Sequence, residues 1–302
     1  MNPRFRPPHR DGVGPSRVAL PAGRWPSILT FLVHQFPSIA AEEWVQRMLR
    51  GDVLDQDGLP LMPDSPYRAN SWLFYYRQLL SEPRIPFEET VLYQDDWLVV
   101  ADKPHFLPVT PAGRYVQETL LVRLKRKLGI DTLAPAHRID RETAGLVLFT
   151  IQPATRDRYQ SLFRERSVRK VYEAIAPWRA DRQLPLVHCS RLEESQAFMQ
   201  MHEVPGEPNA ETRIELLDVH GDYARYRLLP VSGQKHQLRA HMAALGMPIL
   251  NDRIYPTLLP DDAARPDYAQ PLQLLAKSVR FTDPVSGKLH QFESRQKLAC
   301  LD

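Results

Sequence analysis

The sequence predicts an α+β protein: a mixed, largely antiparallel central sheet flanked by helices, preceded by a small N-terminal α/β module. Three observations predict it. Seven runs, at 90–93, 97–101, 145–151, 171–176, 213–219, 224–230 and 278–282, alternate or are rich in β-branched residues, as strands do. Helical spacing is confined to 116–128, 154–164 and 235–245 in this part of the chain, so the elements do not form a regular βαβ series. The 302 residues, 43% hydrophobic and 25% charged, are enough for one large domain and a small one.

Taken in order, residues 1–25 are dense in Pro, Gly and Arg without apolar periodicity and are expected to be a disordered tail. Residues 26–81 are expected to form the module. Ile28, Phe31 and Leu32, then Trp44, Val45, Met48 and Leu49, recur at helical spacing, with Ser38 placed to cap the second helix and Gly51 to end it. Asp55-Gln56-Asp57-Gly58 marks a turn between short strands. Residues 82–87 read as a linker into a body that spans 82–302. There, residues 221–223 suit a hairpin turn between runs 213–219 and 224–230. Residues 256–271, rich in Pro, Asp and Ala, read as a surface loop.

Several classes are excluded. No apolar run approaches the 18 or more residues of a membrane helix, and the N-terminus lacks an apolar signal core. Cys189 and Cys300 follow no spacing pattern, which points to a reducing compartment and no disulfide framework. These features predict a cytoplasmic, non-membrane protein. Two cysteines also fall short of the His/Cys/Cys cluster of a zinc deaminase.

Charge is unevenly placed. Residues 121–170 hold twelve Lys and Arg against five Asp and Glu, an excess of +7 in a chain whose formal net charge is +3. Such a stretch is a candidate footprint for nucleic acid, or else a solvated helix face. Within it lies His137-Arg138-Ile139-Asp140-Arg141-Glu142-Thr143-Ala144-Gly145, followed by the apolar run Leu146-Val147-Leu148-Phe149. A loop Asp between two arginines stays ionised and can serve as a nucleophile, while the arginines attract a polyanion. The plain alternative is an inert salt-bridged turn before a strand.

Two further segments follow in order: Arg169-Lys170-Val171-Tyr172-Glu173-Ala174, then Gly233-Gln234-Lys235-His236-Gln237-Leu238-Arg239-Ala240-His241-Met242 with Leu245-Gly246-Met247-Pro248-Ile249. With Asp102-Lys103-Pro104 before them, and Leu274-Leu275-Ala276 and Phe281-Thr282-Asp283-Pro284 after them, the series resembles the RluA family of RNA pseudouridine synthases. The resemblance runs from about Glu88 to Glu293. It implies the pseudouridine synthase fold and an isomerase of uridine in structured RNA, ribosomal or transfer. The base leaves C1′ through N1, rotates and rejoins through C5, and no cofactor or metal is needed.

The resemblance makes Asp140 the catalytic carboxylate. Tyr172 becomes the aromatic that stacks on the flipped base and takes part in removing the C5 proton. Arg239 becomes the cation paired with Asp140. Arg138 is placed either to fill the space left by the flipped base or to contact phosphate. Arg141, Arg164, Arg166, Arg169, Lys170, Lys235 and His236 complete the expected RNA contacts. The sequence departs from the family pattern at Gln234 and Leu238, at Ala144, and around Asn251-Asp252-Arg253-Ile254-Tyr255-Pro256. Residues 26–66 resemble a degenerate S4-type RNA-binding module but carry only Arg47 and Arg50 as cations. His236 and His241 are five apart and do not share a helix face as metal ligands would. The expectation is a monomeric enzyme whose partner is RNA. Two alternatives stand beside it: an inactive RNA-binding protein on the same scaffold, and a hydrolase using His137 with Asp140.

Overall fold

The computed structural model describes residues 7–77, 82–195, 200–260 and 268–299. The chain divides into two compact units. The first comprises Met1–Glu82, Ala112–Gln117 and Lys125–Asp131, and the second Pro83–Pro111, Glu118–Leu124 and Thr132–Asp302. No helix among the described residues is long and apolar enough to cross a membrane.

The first unit contains β1 (Ser16–Leu20), α1 (Ile28–Gln35), α2 (Ala41–Leu49), β2 (Val53–Asp55) and β3 (Ser71–Tyr75). Its strands form an antiparallel sheet in the order β1–β3–β2. The apolar positions read from the sequence do the packing: Ile28, Phe31, Leu32, Trp44 and Met48 bury against Leu20, Val53 and Leu73. The Ser27 hydroxyl caps α1 by accepting the Thr30 amide. Ser38 does not cap α2. The Ile39 amide closes a turn onto Phe36, which displaces the cap to Ala40, and Glu42 and Glu43 complement the helix dipole instead. Gly51, at φ +72°, ends the helix.

The expected disordered tail is a correction. Ser16–Leu20 lies in full register with β3, Val13 and Leu20 are buried, and Arg10 donates to Asp52 at 2.6 Å with its guanidinium over Tyr76. Its Pro and Gly density concealed a short strand whose partner lies far along the chain. Residues 1–6 of that tail are outside the described residues. The expected linker is likewise pinned. The Glu82 carboxylate accepts the Val116 and Gln117 amides at 2.8 and 2.9 Å, and Ile85 is buried with its amide on Glu118.

The second unit is built on β4 (Thr90–Gln94), β5 (Leu98–Lys103), α3 (Leu120–Leu128, of which residues 125–128 belong to the first unit), β6 (Ala134–Pro135), β7 (Ala144–Thr150), α4 (Arg156–Arg164), β8 (Arg169–Pro177), β9 (Leu186–Glu194), β10 (Met201–Val204), β11 (Ala210–His220), β12 (Tyr223–Pro230), α5 (Gln237–Ala244), β13 (Leu274–Thr282) and β14 (Leu289–Glu293). Eleven strands join in one sheet, in the order β10–β9–β11–β12–β8–β13–β7–β5–β4, with β14 on β13 and β6 on β7. Every described pairing is antiparallel except β7 with β13. This is the mixed, largely antiparallel sheet expected from the irregular order of elements. Leu238, Met242 and Leu245 of α5 pack on Ala174, Tyr226, Leu228 and Leu274, which fixes α5 against the middle of the sheet. Residues 221–223 do turn β11 into β12. Of the loop expected at 256–271, residues 261–267 lie outside the described residues.

Candidate active site

Asp140 sits in the connection between β6 and β7. Gly145, at φ +110°, is what lets that connection approach β13. A Cβ there would stand 2.3 Å from the Ala276 carbonyl oxygen, so no side chain fits. The loop backbone is held from beneath. Lys103 donates to the carbonyls of Pro104 and Arg141 at 2.9 and 3.0 Å, and His105 Nδ1 lies 2.7 Å from the Glu142 carbonyl. Lys103 is fully buried, and that burial brings its ammonium down to about 7 against the opposing pull of Glu142 and Asp140.

The carboxylate of Asp140 is 27% exposed and faces two groups from the start of α5. Arg239 Nη1 donates to Oδ2 at 3.3 Å, and His236 Nε2 lies 3.9 Å from Oδ1. His236 adopts the left-handed conformation at φ 51°, which turns the chain into the helix. Arg239 is buried, and its other two donor positions are committed to Asp252, Nε to Oδ2 at 2.8 Å and Nη2 to Oδ1 at 2.7 Å. Asp252 is itself fully buried and also accepts the Ile254 and Tyr255 amides at 2.8 and 3.0 Å. Burial opposes the charge on Arg239. Hydrogen bonding and attraction from Asp252, then Asp140, outweigh it and hold the guanidinium more firmly protonated than usual.

Tyr172 lies on β8, opposite Ala276 of β13 and Leu228 of β12, with its ring packed on the α5 core. Burial, and then the charge of Asp140, raise its phenol above the ordinary value, so the ring is a neutral phenol at physiological pH. His137 is turned to a different task. Its Nε2 accepts the Leu148 amide at 3.2 Å, its ring stacks on Phe163 at 4.2 Å, and burial pushes it down to about 3. A ring so engaged cannot be the base of a His137–Asp140 hydrolase.

The structure brings Asp140, Tyr172, Arg239 and His236 together, although they are far apart in sequence. It does not place Asp140 between its sequence neighbours. Arg141 donates to Glu142 at 2.6 Å, and Arg138 is exposed with no hydrogen-bond or salt-bridge partner among the described residues. Lys235 pairs with Glu194. Lys170 is half-buried, donates to the Ser232 carbonyl at 2.7 Å and is lowered to about 8 by burial, with Arg166 adding to the effect. Arg164 reaches Asp157 at 3.4 Å in an exposed pair, while Arg166 and Arg169 are exposed without such partners among the described residues.

Two residues escaped the sequence reading. Asp252 lies in a segment that stood out only by its departures from the family pattern. Arg280 is exposed and stands directly opposite Arg169 in the β8–β13 ladder. Like charges in register repel, so the pair suits a bound anion. The signal for Arg280 was the strand run 278–282, but its register with β8 is not in the local sequence. Conversely, two cations of the basic stretch are structural. Arg123, its side chain only 10% exposed, is held by Glu118, Glu89 and the carbonyls of Ile85 and Phe87, and Lys125 is buried.

A family model described as RNA pseudouridylate synthase matches residues 97–244, which include Asp140, Tyr172 and Arg239. The chain is 31% identical over 212 residues to the dual-specificity RNA pseudouridine synthase RluA of Haemophilus influenzae, covering 68% of this chain and 92% of that protein. It is 28% identical over 241 residues to an uncharacterized RNA pseudouridine synthase of Synechocystis, covering 76% and 79%. Among solved structures, human RNA pseudouridylate synthase domain containing 1 shares the fold, with a TM-score of 0.57 at 20% identity over 72% of this chain and 86% of that one.

Proposed function

This chain belongs to the RluA family of RNA pseudouridine synthases, and on that premise we propose that Asp140, held by Arg239 and faced by Tyr172, carries the isomerisation of uridine in ribosomal or transfer RNA. The observation that supports it most directly is the single 3.3 Å bond from Arg239 to a half-open Asp140, while Asp252 takes the Nε–Nη2 edge of the guanidinium. An ionised carboxylate, kept oriented but not saturated, can attack C1′ or stabilise the positive charge that develops there as the N1 bond breaks. The freed base rotates, and the C5–C1′ bond forms; where Asp140 has bonded to C1′, that C1′–O bond breaks in the same step and returns the carboxylate. The C5 proton leaves and N1 gains one, so atoms and charge balance without an outside reagent. The half-buried ring of Tyr172 offers the flipped base a face to stack on. As a neutral phenol it can pass a proton only by giving its own away, so its part in the C5 step is a relay.

Arg138, Arg164, Arg166, Arg169 and Arg280 are read as the phosphate-contacting set, because each is exposed and arginine suits phosphate geometry. The dual specificity in the name of the Haemophilus relative supports a substrate range of more than one structured RNA. The cysteine usage favours the cytoplasm. Pseudouridine mapping of total RNA from cells with and without the gene tests the reading. It is expected to show positions that vanish with the gene and return with wild type but not with Asp140→Asn. Full return with Asp140→Asn would remove Asp140 from the chemistry.

A further inference from the structure

We propose that His188, Glu203 and His241 bind one divalent ion of the zinc type, which ties α5 to β9 and β10. His188 Nε2 lies 2.6 Å from Glu203 Oε1, and the rings of His188 and His241 meet edge to face with centroids 4.8 Å apart. One ligand atom from each of the three residues lies within 4.8 Å of the other two. In a tetrahedral site with bonds of about 2.0–2.1 Å, ligand atoms stand roughly 3.4 Å apart, so the 2.6 Å His188–Glu203 pair must open and His241 must approach it, which rotations of the partly exposed His188 and Glu203 side chains allow. Two histidines and one carboxylate are the ligand set of open zinc sites, in which water fills the fourth position. Imidazole ligands favour zinc and its neighbours over magnesium or calcium.

The surroundings support the assignment. His188 faces Thr212 across the β9–β11 ladder, and Ser190, two residues on, lies on the same side of β9. His241 enters this polar patch from α5 with its ring fully buried, Nδ1 at 3.0 Å from Thr212 Oγ1 and Nε2 at 3.1 Å from Ser190 Oγ. Thr212 Oγ1 is in turn held by Gln237 Nε2 at 2.9 Å. The Thr212 hydroxyl on Nδ1 is the kind of outer support that fixes the tautomer of a ligating ring, and Nε2 meets the ion by exchanging the Ser190 hydroxyl for it. The His188 and Glu203 side chains are 21% and 31% exposed, which gives an ion a way in from solvent. Among the described residues no hydrogen bond or salt bridge joins the three to Asp140, Tyr172 or Asp252. The site therefore stands apart from the chemistry, although His241 follows Arg239 by two residues on α5 and bracing one steadies the other.

The test uses the full chain after exhaustive chelation and dialysis, titrated at pH 7.5 with zinc sulfate by calorimetry and with cobalt(II) by visible absorption. The expected result is one equivalent bound with Kd on the order of 1 μM, cobalt bands of four-coordinate intensity, and a Tm that climbs with zinc concentration because the ion binds the native state. His188→Ala and Glu203→Gln change partly exposed side chains and should each weaken binding by tenfold or more without unfolding the protein. Two outcomes overturn the proposal: no saturable binding at 100-fold the expected Kd, or binding left undiminished by both variants. Either would mean that His188, Glu203 and His241 form a hydrogen-bonded cluster and nothing more. None of these readouts depends on isomerase activity.

Discussion

The loop that carries Asp140 and the turn that carries Asp252 present the same residue type to the same guanidinium, and they are built to opposite ends. Asp252 is fully buried and spends both oxygens on two short bonds to Arg239 and on two backbone amides. Asp140 is 27% exposed and receives one bond at 3.3 Å. A carboxylate that accepts four hydrogen bonds, two of them from one guanidinium, is a poor nucleophile, and its charge is already neutralised. One with a single anchor is oriented and still reactive. On the proposed mechanism the strong bidentate pair thus belongs to the positioning carboxylate, and the weaker contact is what leaves Asp140 available.

The contrast breaks most visibly at Asp140. Asp140→Asn keeps the shape and removes the charge, so single-turnover isomerisation should fall by about a thousandfold or more, as on losing a preorganised electrostatic group. RNA affinity and Tm should change little, since the side chain is half-open. An Asn variant that kept a tenth of wild-type activity would end the distinction. Asp252→Asn should show the reverse balance. It turns an amide toward Arg239 and leaves a buried cation short of a partner, which costs about 3–5 kcal/mol when one side of a buried pair is removed. Denaturant unfolding should detect that loss, with a rate deficit of about ten- to a hundredfold as Arg239 shifts. Restoration of rate by Asp252→Glu would indicate that the residue acts through position; a stability loss without any rate loss would assign it to the fold alone.

The sequence made the proposed site of Asp140, Tyr172 and Arg239 legible because each sits in a local motif, and it made the sheet legible because strand alternation is also local. It hid what depends on distant pairing. β1 needed β3 to become a strand. Arg169 needed Arg280 across a ladder to become part of a doubled charge. Asp252 needed α5 to become the holder of Arg239. The residues around Asp140 suggested a carboxylate held by its neighbours, and only the family resemblance pointed past them to Arg239: adjacent Arg141 turned to Glu142, and the cation came from ninety-nine residues away. Net charge misled for the same reason. Arg123 and the exposed arginines near β8 count equally in a sum, yet burial decides which can meet RNA.

That last difference gives a third, smaller effect. Changing Arg164, Arg166 and Arg169 together to Gln should weaken RNA binding by about tenfold at moderate salt. It should also flatten the plot of log affinity against log salt by up to about 0.7–0.9 per lost phosphate contact. Arg123→Gln should instead lower stability and leave the salt slope untouched, because its guanidinium is occupied by Glu118, Glu89 and two carbonyls. A filter-binding series from 50 to 300 mM salt separates the two. Equal slopes for the triple variant and wild type would move the RNA path elsewhere.

The smallest effect probes how the Asp140 loop is supported. Lys103 holds two carbonyls next to the loop but is lowered to about 7 by burial, from an ordinary value of 10.5. Below pH 7 the lysine is charged in both folded and unfolded chains, so it contributes no pH dependence. Between 7 and 10.5 the unfolded chain holds a proton that the folded chain has released, and stability therefore rises with pH. The slope from this one group is at most about 1.4 kcal/mol per pH unit. Lys103→Met loses the carbonyl bonds at every pH, which lowers the whole curve, but it also loses the titration. The wild-type advantage over the variant should therefore grow from pH 7 to pH 9 in denaturant unfolding. A constant advantage would show an ammonium that stays charged, in which case Lys103 would support the Asp140 loop by charge as well as by hydrogen bonds. A growing one would leave Arg239 as the cation that steadies Asp140 above neutral pH, and the division between a structural and a reactive carboxylate would rest on that one guanidinium.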